Sequence, residues 1–326
     1  MKKALALATV ILMLLGISLW HQSSRRDTHS TKIFVMDTFV ELLAEGTREQ
    51  ADAAFKDAAS ELGRVDSRLG YQDSLVDKLN SRHVVTDQEI YRLVQVSREV
   101  RGASDRGFSL TLRPILDAWG FSGLHPYRLP TADELEAWKH LPQDEAIRLS
   151  PDGITVETPR NTRIDLGGIA KGYAADRAAV VMQRAGVTAG IVNAGGDIAA
   201  FGERTWNIGV KHPRGPGTFA VVPLKNRAMA TSGDYERFFE HEGKRYHHIL
   251  DPASGMPARG LISATVIANT CTEADAWATA LFVRGPGRLA AELEQRGMEW
   301  IAVDPEGVVT ASPALRELCP EKLPGK

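Results

Sequence analysis

The pattern of apolar and polar positions along the chain predicts a fold that combines helices with strands. Near the start, Phe55, Ala58 and Leu62 recur every three to four residues and would therefore share one face of a helix. Similar patterns predict helices over residues 47–68, 87–100, 132–140, 170–185, 273–283 and 287–296.

Short stretches rich in β-branched and aromatic residues predict strands between these helices. They cover residues 33–43, 190–193, 206–211, 220–224, 246–250, 262–268 and 300–304. No repeat of fixed period and no long linker interrupts the pattern. The sequence therefore predicts an α+β fold, a single composite domain with mixed sheets and flanking helices.

The first residues have the pattern of a targeting segment rather than of the fold. Lys2 and Lys3 precede an uncharged, almost wholly apolar stretch over residues 4–20, and polar residues follow it. At about 17 residues this stretch is at the short end for a membrane-spanning helix. No Ala-x-Ala cleavage site follows the apolar stretch, so an uncleaved anchor is favoured over a cleaved signal peptide.

We therefore expect residues 1–22 to form a signal or anchor in a bacterial inner membrane, with the body of the protein in the periplasm, or exported. Residues 23–32 would be a linker, residues 33–320 the domain and residues 321–326 a tail.

Composition excludes several classes of protein. The 326 residues carry a net charge of −2, so they lack the basic field that non-specific nucleic-acid binding requires. The two cysteines, Cys271 and Cys319, stand far apart, which excludes a zinc module, an iron–sulfur pattern and a disulfide scaffold. A metal would have to be held by oxygen ligands or by scattered histidines.

One glycine-rich stretch, Ile164-Asp-Leu-Gly-Gly-Ile-Ala-Lys-Gly-Tyr173, connects a short apolar run to an alanine-rich helix. Paired glycines let backbone amides approach a ligand, and Lys171 near the helix N-terminus could face a phosphate. The stretch matches neither the P-loop nor the dinucleotide fingerprint. A tight strand-to-helix turn, capped by Asp165, explains the same residues equally well.

Two further stretches combine glycine with acidic and small polar residues: Asn193-Ala-Gly-Gly-Asp197 and Ala230-Thr-Ser-Gly-Asp-Tyr-Glu-Arg237. This composition occurs both in ligand-binding loops and in hairpin turns. In a fourth stretch, His247 and His248 are adjacent in a predicted strand and must point to opposite faces. At most one of them can therefore serve a given site as a base or a phosphate contact, and both could simply be solvated.

Asp275 and Thr279 are four residues apart in a predicted helix and share one of its faces. A carboxylate and a hydroxyl are oxygen ligands of the kind that magnesium prefers. The alternative is that Thr272 caps the helix and Asp275 is the third residue of a capping pair.

Taken together and in order, these stretches resemble the ApbE family of FAD:protein FMN transferases, from about Met36 to the last helix. The likeness extends to Met36-Asp-Thr38, Ser74 with Asn80, and the segment Phe108-Ser-Leu-Thr111 with Pro114 and Trp119-Gly-Phe121. The resemblance implies magnesium-dependent transfer of the FMN half of FAD to a Ser or Thr hydroxyl of a partner flavoprotein in a respiratory or electron-transfer complex, with release of AMP. An FAD pyrophosphatase and a non-catalytic flavin carrier are the alternatives.

The resemblance also implies roles for individual residues. Asp275, Thr279 and the main-chain carbonyl of Gly168 would bind the metal. The FAD site would comprise Met36, Tyr71, Gly107, Phe108, Ser109, Asp165, Lys171 and Ile249. His248 or Asp234 would deprotonate the acceptor hydroxyl.

This sequence departs from the family pattern at three places. Asp37 stands where the family usually has glycine, Ser109 replaces a frequent aspartate, and the spacing between Tyr71 and Ser74 is one residue short. We expect these departures to affect flavin contacts rather than the metal ligands.

Overall fold

The computed structural model describes residues 27–70, 73–123, 125–141 and 143–323. The predicted anchor over residues 1–22 and the predicted flavin contact Tyr71 lie outside the described residues. Within the described part of the chain, no helix combines the length and the apolar character that crossing a membrane requires.

The described chain begins with a hairpin of two strands, β1 (Asp27–Val35) and β2 (Thr38–Gly46), paired along their whole length. The prediction of one strand over residues 33–43 is therefore wrong. Met36 and Asp37 form a two-residue turn in which both have a φ of 55°, a left-handed conformation that matches the twist of hairpin strands. Residues 27–32, predicted as linker, belong to β1 because they pair with β2.

The predicted first helix is confirmed as α1 (Arg48–Leu69), which begins with a capping box at Thr47. The next elements are α2 (Leu75–Arg82), β3 (Val84–Thr86) and α3 (Gln88–Ala103). Asp87 caps α3, because its carboxylate accepts a hydrogen bond from the amide of Ile90.

The remaining elements include all the other predicted helices and several strands that the pattern did not predict. In chain order they are α4 (Arg113–Trp119), α5 (Ala132–Lys139), β4 (Arg148–Leu149), β5 (Thr155–Glu157), α6 (Ala170–Arg184), β6 (Ala189–Ala194), β7 (Asp197–Gly202), β8 (Trp206–Lys211), β9 (Thr218–Leu224), β10 (Ala228–Gly233), β11 (Phe238–His241), β12 (Lys244–His247), β13 (Ser263–Ala268), α7 (Cys271–Arg284), α8 (Pro286–Gln295), β14 (Glu299–Val303) and β15 (Val309–Ala311).

The centre of the fold is an antiparallel sheet of eight strands in the order β1-β2-β6-β7-β10-β13-β14-β15. Helices α1, α6 and α7 pack together over one face and bury the larger apolar cluster. The hairpin of β8 and β9 contributes side chains such as Trp206 and Val222 to a second cluster. The predicted α+β fold is confirmed.

The C-terminal boundary of the domain lies beyond the predicted residue 320. The amide of Val309 donates to the carbonyl of Glu321 at 2.9 Å, and the amide of Leu323 donates to Gly307 at 2.8 Å. Residues 321–323 are therefore attached to the sheet edge at β15 and are not a free tail.

Candidate functional site

A cleft of about 860 Å³ runs between the β1–β2 turn, the loop after α3, the start of α6 and helix α7. Its volume is near the upper end of the ~300–1,000 Å³ that is common for ligand sites. The predicted site residues that line it are Met36, Gly107, Phe108, Ser109, Asp165, Gly168, Lys171, His248, Ile249, Asp275 and Thr279. The fold thus brings together segments that are far apart in sequence.

Gly172 lets helices α6 and α7 approach closely at this cleft. A Cβ atom on Gly172 would lie 2.2 Å from the Cys271 carbonyl oxygen and 2.8 Å from Cβ of Asp275. Only glycine fits this contact. The approach allows the Gly172 amide to donate a hydrogen bond of 3.0 Å to the buried carboxylate of Asp275.

The predicted alternative for Asp275, a capping pair with Thr272, is wrong. The N-cap of α7 is Thr270, whose hydroxyl accepts a hydrogen bond from the amide of Glu273 at 3.2 Å. Asp176 of α6 accepts from the amides of Cys271 and Thr272 at 2.8 and 2.9 Å. Since the start of α7 is satisfied by other groups, Asp275 does not cap its own helix; its carboxylate instead accepts from the Gly172 amide in the first turn of α6.

Asp176 was not singled out in the sequence. Its four-residue spacing from Gly172 places both on the face of α6 that meets α7, and this spacing was the only available signal.

Gly168 and Thr279 lie close to each other beside Asp275. A Cβ atom on Gly168 would be 3.6 Å from the Thr279 hydroxyl oxygen, which is itself 3.2 Å from the hydroxyl of Ser232. One carboxylate, one hydroxyl and one main-chain carbonyl are hard oxygen donors. They fit magnesium, which retains several water ligands and rarely needs a cage of protein ligands.

Metal ions in proteins are also held by acidic, histidine or cysteine side chains alone. Within residues 27–70, 73–123, 125–141 and 143–323, no group of three or more of these residues could hold a metal ion. Asp275, Thr279 and the main-chain carbonyl of Gly168 are therefore the candidate metal ligands in the described part of the chain.

Lys171 forms an ion pair with the buried Asp197, which is the acid of the Asn193-Ala-Gly-Gly-Asp197 stretch. Burial opposes the charge of Lys171, but the carboxylates of Asp197 and Asp275 raise its pKa above the ordinary lysine value. Burial, and next the charge of Asp275, raise the pKa of Asp197. Burial also raises the pKa of Asp275, against the opposing effect of Lys171. Two buried carboxylates share one ammonium group, an excess of negative charge that a bound cation would offset.

Asp165 has one satisfied and one unsatisfied carboxylate oxygen. Its Oδ1 accepts a hydrogen bond of 2.7 Å from the amide of Gly167, so it does cap the turn as predicted. Its Oδ2 is buried and has no hydrogen-bond partner. A buried oxygen without a partner costs free energy, and this cleft wall therefore fits a ligand that carries a hydrogen-bond donor.

The two adjacent histidines have different surroundings, but they do not share a strand: β12 ends at His247, so the predicted strand over residues 246–250 is wrong in its second half. Nε2 of His247 lies 2.8 Å from the carbonyl oxygen of Ala258, and His247 is not among the residues that line the cleft. Burial lowers the pKa of His247 to about 4.

His248 does line the cleft, and its Nδ1 lies 3.2 Å from the carbonyl oxygen of Arg237. A carbonyl only accepts, so Nδ1 carries the proton and Nε2 has the free lone pair. Burial, and then the charge of Arg237, lower the pKa of His248 well below its ordinary value. The ring is therefore uncharged and the lone pair of Nε2 is free, as a general base requires, while the same burial weakens its basicity.

The other candidate base, Asp234, has surroundings that do not favour this role. Its two carboxylate oxygens accept hydrogen bonds of 2.7 and 2.6 Å from the guanidinium group of Arg214. The side chain is buried and is not among the residues that line the cleft. Asp234 is held in a bidentate ion pair and is not positioned to contact an acceptor in the cleft.

The departure at Ser109 is accompanied by a carboxylate from elsewhere in the chain. The Ser109 hydroxyl donates to the buried Asp144, which also accepts from the Leu110 amide at 2.6 Å and from the Thr111 hydroxyl at 3.0 Å. We call residues 105–111 the 105–111 loop; Asp144 fixes its second half. No motif in the sequence marked Asp144, because it lies more than 30 positions from the groups it binds.

The Asn193-Ala-Gly-Gly-Asp197 stretch is both a hairpin turn and part of the cleft wall. Gly195 and Gly196 join β6 to β7 with φ values of 65° and 106°. Gly195 lines the cleft, and a Cβ atom there would lie 2.6 Å from the hydroxyl oxygen of Thr38. The interpretation of this stretch as a hairpin turn and its interpretation as a ligand-binding loop are therefore compatible.

Comparison with known proteins gives one family. The model of the ApbE family matches residues 36–302. An FAD:protein FMN transferase of Klebsiella pneumoniae is 35% identical over 221 residues, which span 66% of this chain and 69% of that protein. An FAD:protein FMN transferase of Escherichia coli is 27% identical over 303 residues, 86% of each chain.

Solved structures agree with the sequence comparison. The crystal structure of the ApbE protein from Thermotoga maritima superposes with a TM-score of 0.85 at 32% identity and covers 90% of this chain and 100% of that one. The apo form of the Pseudomonas stutzeri flavinyl transferase ApbE has a TM-score of 0.79 at 28% identity, with 90% of this chain and 97% of that chain covered.

Proposed function

The chain belongs to the ApbE family, and we propose that it is a magnesium-dependent enzyme that transfers the FMN half of FAD to a Ser or Thr hydroxyl of a partner flavoprotein and releases AMP. The main support for this proposal is that Lys171, His248, Asp275 and Thr279 line the same cleft. Its size suits a dinucleotide better than a small metabolite.

Different residues of the cleft would bind different parts of FAD. Met36, Phe108 and Ile249 provide apolar contacts for flavin or adenine rings. Asp165 offers its unsatisfied oxygen to a hydrogen-bond donor of the nucleotide. The diphosphate would then lie between Lys171 and the oxygen ligands of α7, where its negative charge is opposed by the ammonium group.

In the transfer step, the acceptor oxygen attacks the FMN phosphorus, the bond between this phosphorus and the bridging oxygen breaks, and AMP leaves with that oxygen. His248 accepts the hydroxyl proton at Nε2, since Nδ1 already donates to Arg237. Lys171 stabilises the charge that develops on the phosphate oxygens. Magnesium bound by Gly168, Asp275 and Thr279 would supply further neutralisation of the diphosphate.

We also propose that residues 1–22 anchor the protein in the inner membrane, with the cleft in the periplasm, where it would modify flavoproteins of electron-transfer complexes. The support is the apolar stretch over residues 4–20. Fractionation and protease accessibility in cells would test this location independently of the activity.

The test of the activity uses the full chain in detergent with FAD, magnesium and a candidate acceptor domain. Mass spectrometry of the acceptor and chromatography of the nucleotides distinguish three outcomes. A flavinylated acceptor with stoichiometric AMP supports the proposal. FMN and AMP with an unlabelled acceptor would identify a pyrophosphatase, and FAD that stays bound but unchanged would identify a carrier.

A further inference from the structure

We propose that Arg284 is a positioning residue of this site, which holds the 105–111 loop and the segment after His248 in place against the helix that carries Asp275 and Thr279. The inference rests on the proposed function, because it concerns the binding of FAD by that site.

Arg284 is the last residue of α7, and each nitrogen of its guanidinium group has a separate acceptor. Nε donates to the carbonyl of Asp105 at 2.8 Å, and Nη2 donates to the carbonyl of Arg106 at 3.2 Å. Nη1 donates to the carboxylate of Asp251 at 3.0 Å. The side chain is only 13% exposed. The rigid fork of arginine suits such a set of contacts, whereas a lysine ammonium group does not provide this geometry.

The carbonyls that Arg284 binds belong to strained backbone. Asp105 and Arg106 have φ values of 51° and 58°, a left-handed conformation that residues with a Cβ atom rarely adopt and that here occurs twice in succession. Such a conformation persists only where the surrounding structure holds it. Two of the three hydrogen bonds of Arg284 go to these two residues.

The aliphatic part of Arg284 sets the path of the next residue. A Cβ atom on Gly107 would lie 2.7 Å from Cγ of Arg284 and 3.1 Å from the carbonyl oxygen of Ala280, so the loop passes directly over α7. Gly107, Phe108 and Ser109 then line the cleft. The position of this wall relative to α7 is therefore determined in part by Arg284.

The third acceptor, Asp251, connects Arg284 to a second wall of the cleft. Asp251 follows His248 and Ile249, which both line the cleft, and its Oδ1 also accepts from the amide of Ala253 at 3.0 Å. One guanidinium group thus contacts two binding segments, and its own helix carries the oxygen ligands. Loss of the group would let these segments move independently and would weaken the binding of FAD.

The test compares three variants of the full chain in detergent: Arg284→Met, which keeps an aliphatic stem, Arg284→Lys, and the control Arg288→Ala. Arg288 contacts the same loop through an exposed ion pair with the Asp105 side chain. The dissociation constant of FAD is measured by equilibrium dialysis without magnesium, and the acceptor assay gives KM and kcat. We expect Arg284→Met to weaken FAD binding about tenfold and Arg284→Lys about threefold, with Arg288→Ala unchanged.

The midpoint of thermal unfolding separates positioning from loss of the fold, and we expect it to change little in the two conservative variants. FAD binding within about twofold of wild type in both Arg284 variants would overturn the inference. FAD binding that is weakened equally in Arg288→Ala would overturn it as well, because any perturbation of the loop would then be enough to weaken FAD binding. Should Arg284→Met fail to fold, Arg284→Lys decides the matter.

Failure of the proposed function has a different signature. A wild-type protein that binds no FAD would remove the proposed function and this inference together. Wild-type transfer with unaffected Arg284 variants would remove the inference alone.

Discussion

Two walls of the cleft reach their geometry by different physical means. At the crossing of α6 and α7, regular helices approach through Gly172, and a main-chain amide holds Asp275. Beside them, the irregular 105–111 loop contains left-handed residues and is held by side chains from elsewhere, Asp144 and Arg284. The first wall depends on the size of one residue, whereas the second depends on several polar contacts made over long sequence distances.

The comparison predicts that the largest effect on activity comes from the helical wall. Asp275→Asn should reduce magnesium-dependent AMP release at least about 100-fold, because it removes the only carboxylate of the predicted ligand set. Stability should not fall, since burial already raises the pKa of Asp275 and so disfavours its charge. Nucleotide chromatography over a magnesium series measures the loss, and Glu273→Gln, in the first turn of the same helix and outside the cleft, is the control. Unchanged metal dependence would remove Asp275 from the site.

The next effect tests whether close helix packing is required. Gly172→Ala should destabilise the protein by about 1–3 kcal/mol, because the new methyl group would collide with the carbonyl of Cys271. The matched control is Gly102→Ala in α3, where a Cβ atom would meet nothing within 4 Å and the change should be neutral or stabilising by up to ~1 kcal/mol. Urea unfolding measures both. Equal stability of the two variants would show that the crossing can relax.

In the loop wall, Asp144→Ala should raise the KM for FAD about fivefold while kcat changes less, because the loop loses three hydrogen bonds but no catalytic group. The unsatisfied groups should also lower stability by about 1–3 kcal/mol. Steady-state kinetics and urea unfolding test these values, with the exposed Glu145→Gln as control. A fall in kcat at unchanged KM would contradict the assignment of this wall to FAD binding.

The smallest effect separates capping from metal binding in α7. Thr270→Ala should cost about 1 kcal/mol of stability and leave the magnesium dependence unchanged, because Thr270 is the N-cap and lies outside the cleft. Thermal unfolding and the AMP assay measure the two consequences. An altered magnesium requirement would show that the helix start and the ligand set are coupled.

Much of the fold follows from local pattern alone. The spacing of Phe55, Ala58 and Leu62 predicted α1, which is confirmed from Arg48 to Leu69, and the strand from Trp206 to Lys211 was predicted with its observed bounds. Local pattern failed at β7 and β10, neither of which was predicted as a strand. Residues 230–233 of β10 were assigned to a loop-like stretch because of their glycine and small polar residues, and residues 198–202 of β7 had no assignment, but both strands pair inside the sheet.

The sequence by itself determined the family likeness and the helical face shared by Asp275 and Thr279. Each family motif is a short run of sequence, and the shared face depends on two residues four positions apart, so neither requires knowledge of how the chain packs. Only the tertiary structure decided that Asp176 rather than Thr272 satisfies the start of α7.

The tertiary structure alone also decided the contacts of Asp234, Asp144 and Arg284. Arg214 holds Asp234 in an ion pair, Asp144 accepts a hydrogen bond from Ser109, and Arg284 contacts two walls of the cleft. The partners in these contacts are about 20 to 180 residues apart, so their proximity arises from the packing of the whole domain and leaves no periodic trace in the sequence.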